Sequence, residues 1–390
     1  MENVNQDNYQ SDEIITTEID CKYVYCWGFG KYGQIGKKFV NYSLMPIFID
    51  IDTNEEVFLL SAGEFHSSIL TLTNDGDSKV YMFGKNTIGQ LGIDNACYNY
   101  FPVYNNLLSR KIVKVSCGGD HTLLMSQENE LYSFGLNAFG QLGIGNYVSM
   151  TSPTLVPLDD LVNDISAGAQ HSMILSNSGY LYTCGYAANK SLGYDTDEDV
   201  NTFTKIPEMF YIEKIDKIAC GVYHSACIID GQKVVIWGVG DVLKFDKPTL
   251  ININSSRGLG LKDVKIGEDF IFILTKSGDL YGMGTNNSGQ LGNKNVASST
   301  NLLRLEINIK FKQIELGYNY AIAVSEDNNV YGWGNNQFGQ LTMIKTTFVD
   351  EPTFIEELSN LSVFKLTAGG YHAMGIFSVN INNLQNNLSK

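Results

Sequence analysis

Seven times along 390 residues a short aromatic run ends on a glycine, at Gly28, Gly84, Gly135, Gly185, Gly238, Gly284 and Gly334, with intervals of 46 to 56 residues. A repeat of that period restricts the chain to a stacked or radial array of supersecondary units, none of which buries its apolar surface alone. Function is then to be sought on a modular ring before an enzyme pocket.

One copy shows the unit. Ile165-Ser166-Ala167-Gly168 leads through two residues to His171-Ser172-Met173-Ile174-Leu175, then to Ser176-Asn177-Ser178-Gly179 and Tyr180-Leu181-Tyr182-Thr183-Cys184-Gly185. Two short apolar runs joined by a polar, glycine-bearing link spell a β-hairpin. A turn follows, clearest as Gly140-Gln141-Leu142-Gly143, and ten residues past its last position Pro153 opens a further short strand. Pro46, Pro102 and Pro352 keep the same offset from Gly36, Gly92 and Thr342. A proline-led strand belongs at a sheet edge, where the missing N–H is not needed. The unit is therefore a four-stranded antiparallel sheet, and seven of them predict an all-β, seven-bladed β-propeller.

Both faces of each blade pack against neighbours in such a ring, which suits strands that are apolar on both sides. Tyr25, Tyr81, Tyr132, Tyr182, Tyr281 and Tyr331 share one position of the third strand, with Val235 the exception, and Trp27, Trp237 and Trp333 share another. The last motif, Ala368 to Phe377, has no following strand, and the first, Tyr23 to Trp27, has no hairpin partner. The two ends are expected to pair and close the ring, which removes two exposed edges. The propeller is placed at residues 21–377, between an acidic tail, 1–20, and an Asn-rich tail, 378–390, both expected to be disordered.

Lys and Arg number 27 against 42 Asp and Glu, a net charge of −15, which opposes binding to nucleic acid and favours basic protein surfaces. The first twenty residues contain six acids, no Lys or Arg and no stretch of signal-peptide character, and no later segment approaches a membrane span. A cytoplasmic or nuclear monomer is expected. Seven cysteines without a C-x-x-C pair suggest neither a disulfide framework nor a zinc knuckle, and Cys26, Cys117, Cys184 and Cys220 fall at small buried positions of the repeat.

All five histidines, His66, His121, His171, His224 and His372, occupy one repeat position, where the two other copies carry Phe270 and Tyr320. Zinc needs several ligands within about 2.0–2.1 Å of one ion, whereas these rings lie on separate blades and yield to phenyl and phenol. Core imidazoles hydrogen-bonded between blades are expected, with no metal and no cofactor. The neighbours His66-Ser67, His171-Ser172 and His224-Ser225 point to opposite faces of a strand, so no catalytic triad and no covalent catalysis are expected. Gly28-x-Gly30-x-x-Gly33 matches the dinucleotide fingerprint literally, but no helical pattern follows it, and Asn86, Asn137, Asn286 or Asn336 replaces the middle glycine elsewhere. That is a repeated turn with a left-handed residue.

The functional candidates lie in the two-residue link before each histidine position, because a short loop between blade strands faces solvent. Equivalent links share one face of the disk. That face gathers Glu64, Asp120, Glu268 and Asp269 with Phe65, Tyr223, Tyr318 and Tyr371, a mixture suited to a basic protein partner. The bland alternative is a set of ordinary solvated loops.

Ser-Ala-Gly followed by two free residues and His-Ser, a short hairpin, an aromatic before glycine, and Gly-Gln-Leu-Gly together resemble the repeat of the regulator of chromosome condensation family. The resemblance spans about residues 21 to 377, best at 165–175 and 131–143, and implies a seven-bladed propeller closed by its two ends. The family includes the nucleotide exchange factor for the small GTPase Ran and also propellers that only bind other proteins. Its partner-binding Asp before the repeat histidine is matched by Asp120 in Gly118-Gly119-Asp120-His121. The exchange factor's basic tail and inserted wedge have no counterpart here, and the fifth copy lacks the Gly-Gln-Leu-Gly turn, reading Gly238-Val239-Gly240-Asp241-Val242-Leu243. The resemblance implies a protein-interaction propeller, or alternatively a guanine-nucleotide exchange factor for a Ran-like GTPase.

Overall fold

Apolar residues on both sides of every inner strand force each sheet to be covered twice, and a ring does this with one kind of contact. The computed structural model describes residues 22–379 apart from 52–54, 94–96, 107–108, 208–213, 252, 254–259 and 344–345. Its strands form seven four-stranded antiparallel sheets, the blades of a propeller. Blades 1 to 6 are consecutive in sequence, at 56–104, 112–155, 162–205, 215–251, 261–304 and 311–354. Among the described residues the one helical segment is a single 3-10 turn, Glu356–Leu358.

Blade 7 is composite. Leu361–Ala368 and His372–Val379 supply its two inner strands, and Lys22–Phe29 and Tyr42–Ile49 its two outer ones. Lys22–Phe29 pairs with His372–Val379 from Lys22 opposite Ser378 to Gly28 opposite His372. The ring thus closes by pairing of the chain's two ends, with the last strand running two residues past the expected limit of 377. The tails at 1–20 and 380–390 lie outside the described residues.

The prolines are a correction. Pro46, Pro102, Pro153 and Pro352 do not open the fourth strand but lie inside it. In blade 7 the register jumps from Gly28–Ser43 to Cys26–Ile47, so three residues ending in Pro46 face Trp27 alone. The same bulge ends in Pro102, Pro153, Pro248 and Pro352. A bulge leaves its extra residues outside the ladder, which is what a residue without an N–H requires. Pro248 shows that the eroded copy, which is blade 4, keeps the fourth strand even though its turn has changed.

The core lies between blades. One cluster joins Val24, Cys26, Ile49 and Met374 of blade 7 to Leu60, Ile69 and Phe83 of blade 1. Each such side chain, fully buried, contributes about 1.5–3 kcal/mol. Trp27, Trp237 and Trp333 are fully buried, and their indole N–H groups donate to the turn carbonyls of Gln340, Ser191 and Gln290 in the preceding blade. The six described cysteines are free, four of them buried.

Candidate protein-binding face

The loops that carry the candidate residues hang from a ring of backbone contacts. Glycine follows the innermost strand of every blade, and a Cβ at Gly63, Gly118 or Gly369 would lie within 2.5 Å of the next blade's glycine carbonyl. That closeness lets Glu64 N–H donate to Gly118 O, Gly119 N–H to Gly168 O, Ala169 N–H to Gly221 O and Val222 N–H to Gly267 O, each at 3.1 Å. Glu268 to Tyr318, Tyr318 to Gly370 and Gly370 to Gly63 complete the circle at 2.9–3.2 Å. The link residues are therefore tied to the neighbouring blade, and the mouth they surround is narrow, a cavity of about 100 Å³.

Beneath this ring the histidines form a second circle. The Nε2 atoms of His66, His121, His171 and His372 meet the hydroxyls of Thr122, Ser172, Ser225 and Ser67 in the following blade at 2.7–2.9 Å. Each hydroxyl donates its proton to a turn carbonyl, of Gln90, Gln141, Ser191 or Gln34. The hydroxyl can then only accept from the imidazole, so the network assigns these rings as neutral Nε2–H tautomers. Burial drops them to about 3. The Ser–His contacts are thus between blades, not between sequence neighbours, and they are sealed from solvent. Blade 6 puts Tyr320 in the same slot, with its hydroxyl donating to Gly369 and His372 carbonyls at 3.1 and 2.6 Å.

Seven of the eight candidates come together on the face above. Glu64, Phe65, Asp120, Tyr223, Glu268, Tyr318 and Tyr371 are all half-buried at or around the narrow mouth. Burial raises the pKa of Glu64, with Asp120 and Glu268 pushing it further and a hydrogen bond to Tyr318 opposing. Burial also raises Tyr223 and Tyr371, and the Glu268 charge raises both, so the groups share one field. Asp120 is held by Lys85 Nζ at 3.1 Å and by Gln90 Nε2 at 2.6 Å. Glu268 accepts from Asn319 Nδ2 at 2.7 Å.

Asp269 is the exception. It is 5% exposed and points into the blade below, where Oδ2 accepts from Val242 N–H at 2.6 Å and Oδ1 from Leu243 N–H at 3.2 Å. Those amides belong to the eroded turn of blade 4. Since Ile271 offers no hydroxyl, His224 Nε2–H donates directly to the Leu243 carbonyl at 3.0 Å. Asp269 holds that altered turn in place and is not a surface group.

The aromatic part of the face is larger than the links alone suggest. Phe65 stacks on Tyr371 at 5.9 Å and Tyr318 meets Tyr371 edge-on at 5.2 Å. Tyr32, Phe29 and Phe338 extend the patch, with centroids 5.1 Å for Tyr32–Phe65, 4.9 Å for Phe29–Phe338 and 5.8 Å for Phe338–Tyr371. Tyr32 and Phe338 precede the Gly-Gln pair of their turns, and that repeat position, read for ring character, is the signal that finds them.

Fold and face define a closed seven-bladed propeller that presents carboxylates and stacked rings on tethered loops. The chain belongs to the regulator of chromosome condensation (RCC1) repeat family, whose repeat matches residues 77–125, 128–175, 277–324 and 327–376. It is 34% identical over 134 residues to the ultraviolet-B receptor UVR8 of Arabidopsis thaliana, covering 34% of this chain and 30% of the receptor. It is 29% identical over 282 residues to the human E3 ubiquitin-protein ligase HERC2, covering 69% of this chain and 6% of the ligase. The chain thus spans less than a third of these curated relatives. Among solved structures it superposes on human WBSCR16 with a TM-score of 0.80 at 19% identity, covering 92% of this chain and 99% of that one. For Prp20p of Saccharomyces cerevisiae the TM-score is 0.82 at 17% identity, covering 95% of each chain. At these identities the likeness is one of fold. Among the described residues no helix is long and apolar enough to cross a membrane.

Proposed function

We propose that this propeller is a rigid docking module, without covalent chemistry of its own, that binds a basic protein through Glu64, Asp120 and Glu268 and the rings of Phe65, Tyr223, Tyr318 and Tyr371. The observation that carries the proposal is the tethering of these groups: each link is hydrogen-bonded to its neighbour blade, so little loop entropy is lost on binding. Partly desolvated carboxylates attract Lys and Arg more strongly than solvated ones, and each cation over a ring adds about 0.5–2 kcal/mol. Prp20p, the yeast neighbour in fold, was solved alongside its binding properties to Gsp1p and histones.

Core histones are the probe. Reversal of charge at Glu64→Lys, Asp120→Lys and Glu268→Lys should weaken binding at least about tenfold. The same change at Glu128→Lys, Glu326→Lys and Asp327→Lys, in hairpin loops of the opposite face, should leave most of it. Equal losses in both sets would make the attraction one of net charge and dismiss the face.

A second function is favoured by one matched residue. Asp120 stands at the family's partner-binding position and lies on this face. It supports nucleotide exchange on a Ran-like GTPase, by preferential binding of the nucleotide-free state. Release of a fluorescent guanine nucleotide from Ran should then quicken with added protein and slow again with Asp120→Lys. No acceleration at micromolar protein excludes it.

A further inference from the structure

The opposite mouth of the same channel has another chemistry. Alternation along the innermost strands sends two tiers of side chains into the channel, four and two residues before each ring glycine. The cavity they line measures about 450 Å³, within the range of roughly 300–1,000 Å³ that small-molecule sites occupy. In a chain of net charge −15, its outer tier carries Lys114, Lys217 and Lys365, and Lys265 stands in the inner tier.

The carboxylates present are already engaged. Asp164 pairs with Lys114, while Asp263 and Glu315 pair with Lys265 at 3.5 and 3.0 Å. Lys217 and Lys365 have no carboxylate partner and no hydrogen bond among the described residues. Burial lowers the Lys365 pKa, Glu315 opposes that although it is already paired with Lys265, and repulsion from Lys265, Lys114 and Lys217 adds to the lowering.

The inner tier adds donors of a second kind. Ser61, Ser116 and Ser166 accept the N–H groups of Cys117, Ala167 and Cys220 in the next blade, each at 2.9 Å. An oxygen that accepts there keeps its own proton to give, and for Ser61 and Ser166 only the weakly accepting thiols of Cys117 and Cys220 compete for it among the described groups. Two ammoniums without an ion pair below three hydroxyls add donors to a lining whose carboxylates are already paired, and a tetrahedral, multiply charged oxygen anion complements such donors.

We propose that this channel mouth binds a small phosphate-bearing anion, with Lys217 and Lys365 supplying charge and Ser61, Ser116 and Ser166 supplying hydrogen bonds. A carboxylate offers two oxygens and one charge to the same five donors and fits less well.

The test is calorimetric titration of the full chain with inorganic pyrophosphate at low salt. The expected result is saturable one-to-one binding that weakens at least about tenfold in K217Q/K365Q, with K262Q/K312Q, on the same rim but outside the channel, within about twofold of wild type. Lack of binding up to about 10 mM, or equal weakening by the two pairs, overturns the site. A parallel titration uses a short poly-glutamate peptide. If that peptide binds in a Lys217- and Lys365-dependent way and pyrophosphate does not, the mouth belongs to an acidic protein segment and the proposal falls.

Discussion

The two mouths of the channel are built from the same strands and obey different rules. At the end that carries the links, backbone meets backbone: glycine carbonyls accept from the preceding blade at 3.0–3.2 Å, and a Cβ has no room. At the other end side chains meet across open space, and the same repeat position is Leu59, Lys114, Asp164, Lys217, Asp263, Gln313 and Lys365. Closure is therefore bound to one mouth and chemical variety is left to the other. The groups beside the glycines vary as well, but on an immobile base, which is what a recognition surface needs.

The severest way to break this contrast is to open the ring. Removing residues 361–379 deprives Lys22–Phe29 of its partner and exposes the inner faces of blades 1 and 6. The loss should exceed the whole stability of a domain, about 5–15 kcal/mol, and leave no cooperative calorimetric transition. A soluble truncate that melts cooperatively would show that the blades stand without closure.

Acid comes next. Four histidines sit at about 3 when folded, against about 6.5 unfolded, so between those values the unfolded chain binds more protons. Stability contributed by the neutral rings is complete above about 6.5 and declines as pH falls below it, by roughly 2 kcal/mol per ring at pH 5. Glu64, raised in the fold, gains protons in the opposite sense and offsets a small part. Urea midpoints at neutral pH and pH 5 measure the slope, and His121→Phe, borrowing the ring that blade 5 uses, should remove one proton from it. An unchanged slope would mean that the rings are not buried neutral.

Gly118→Val tests the glycine mouth directly. Its Cβ would lie 2.5 Å from both the Gly168 carbonyl and His121 Cε1. A cost of about 3 kcal/mol or more is expected, against no more than about 0.5 kcal/mol for Lys217→Gln at the open mouth. Equal costs would erase the distinction.

Fold and closure were legible because they rest on backbone needs: the glycine after each inner strand and the ring residue three positions on recur in fixed register, and the two ends each carry a motif whose partner only the other end supplies. The prolines were misplaced because an offset shows that a position repeats but not that it is a bulge. Of the site, the link residues were legible as a set, since equivalent loops share a face. The aromatic extension through Tyr32 and Phe338 depends on how one blade's turn lies over the next, and the lysine mouth depends on which alternate residues face the channel. Those are relations between blades, and one repeat read alone does not contain them.

Asp120 and Asp269 put the finest point on the comparison, because they occupy the same repeat position and do different things. Asp120 lies in a blade with an intact neighbouring turn, whose Gln90 side chain reaches it at 2.6 Å, and its carboxylate stays at the surface with Lys85. Asp269 lies beside the eroded turn of blade 4, which has neither the glutamine nor its Gly-Gln-Leu-Gly frame, and its carboxylate descends to take the amides of Val242 and Leu243. Asp269→Asn should cost about 1–3 kcal/mol and leave histone binding unchanged, since a buried acceptor is replaced by a poorer one. Asp120→Asn should cost less than about 1 kcal/mol and weaken binding, because a solvent-reached ion pair at the rim of the face contributes little to stability. Thermal melts and binding isotherms on the two variants should move in opposite columns; if both variants lose binding alike, Asp269 reaches the partner after all and its burial is an accident of the unbound state.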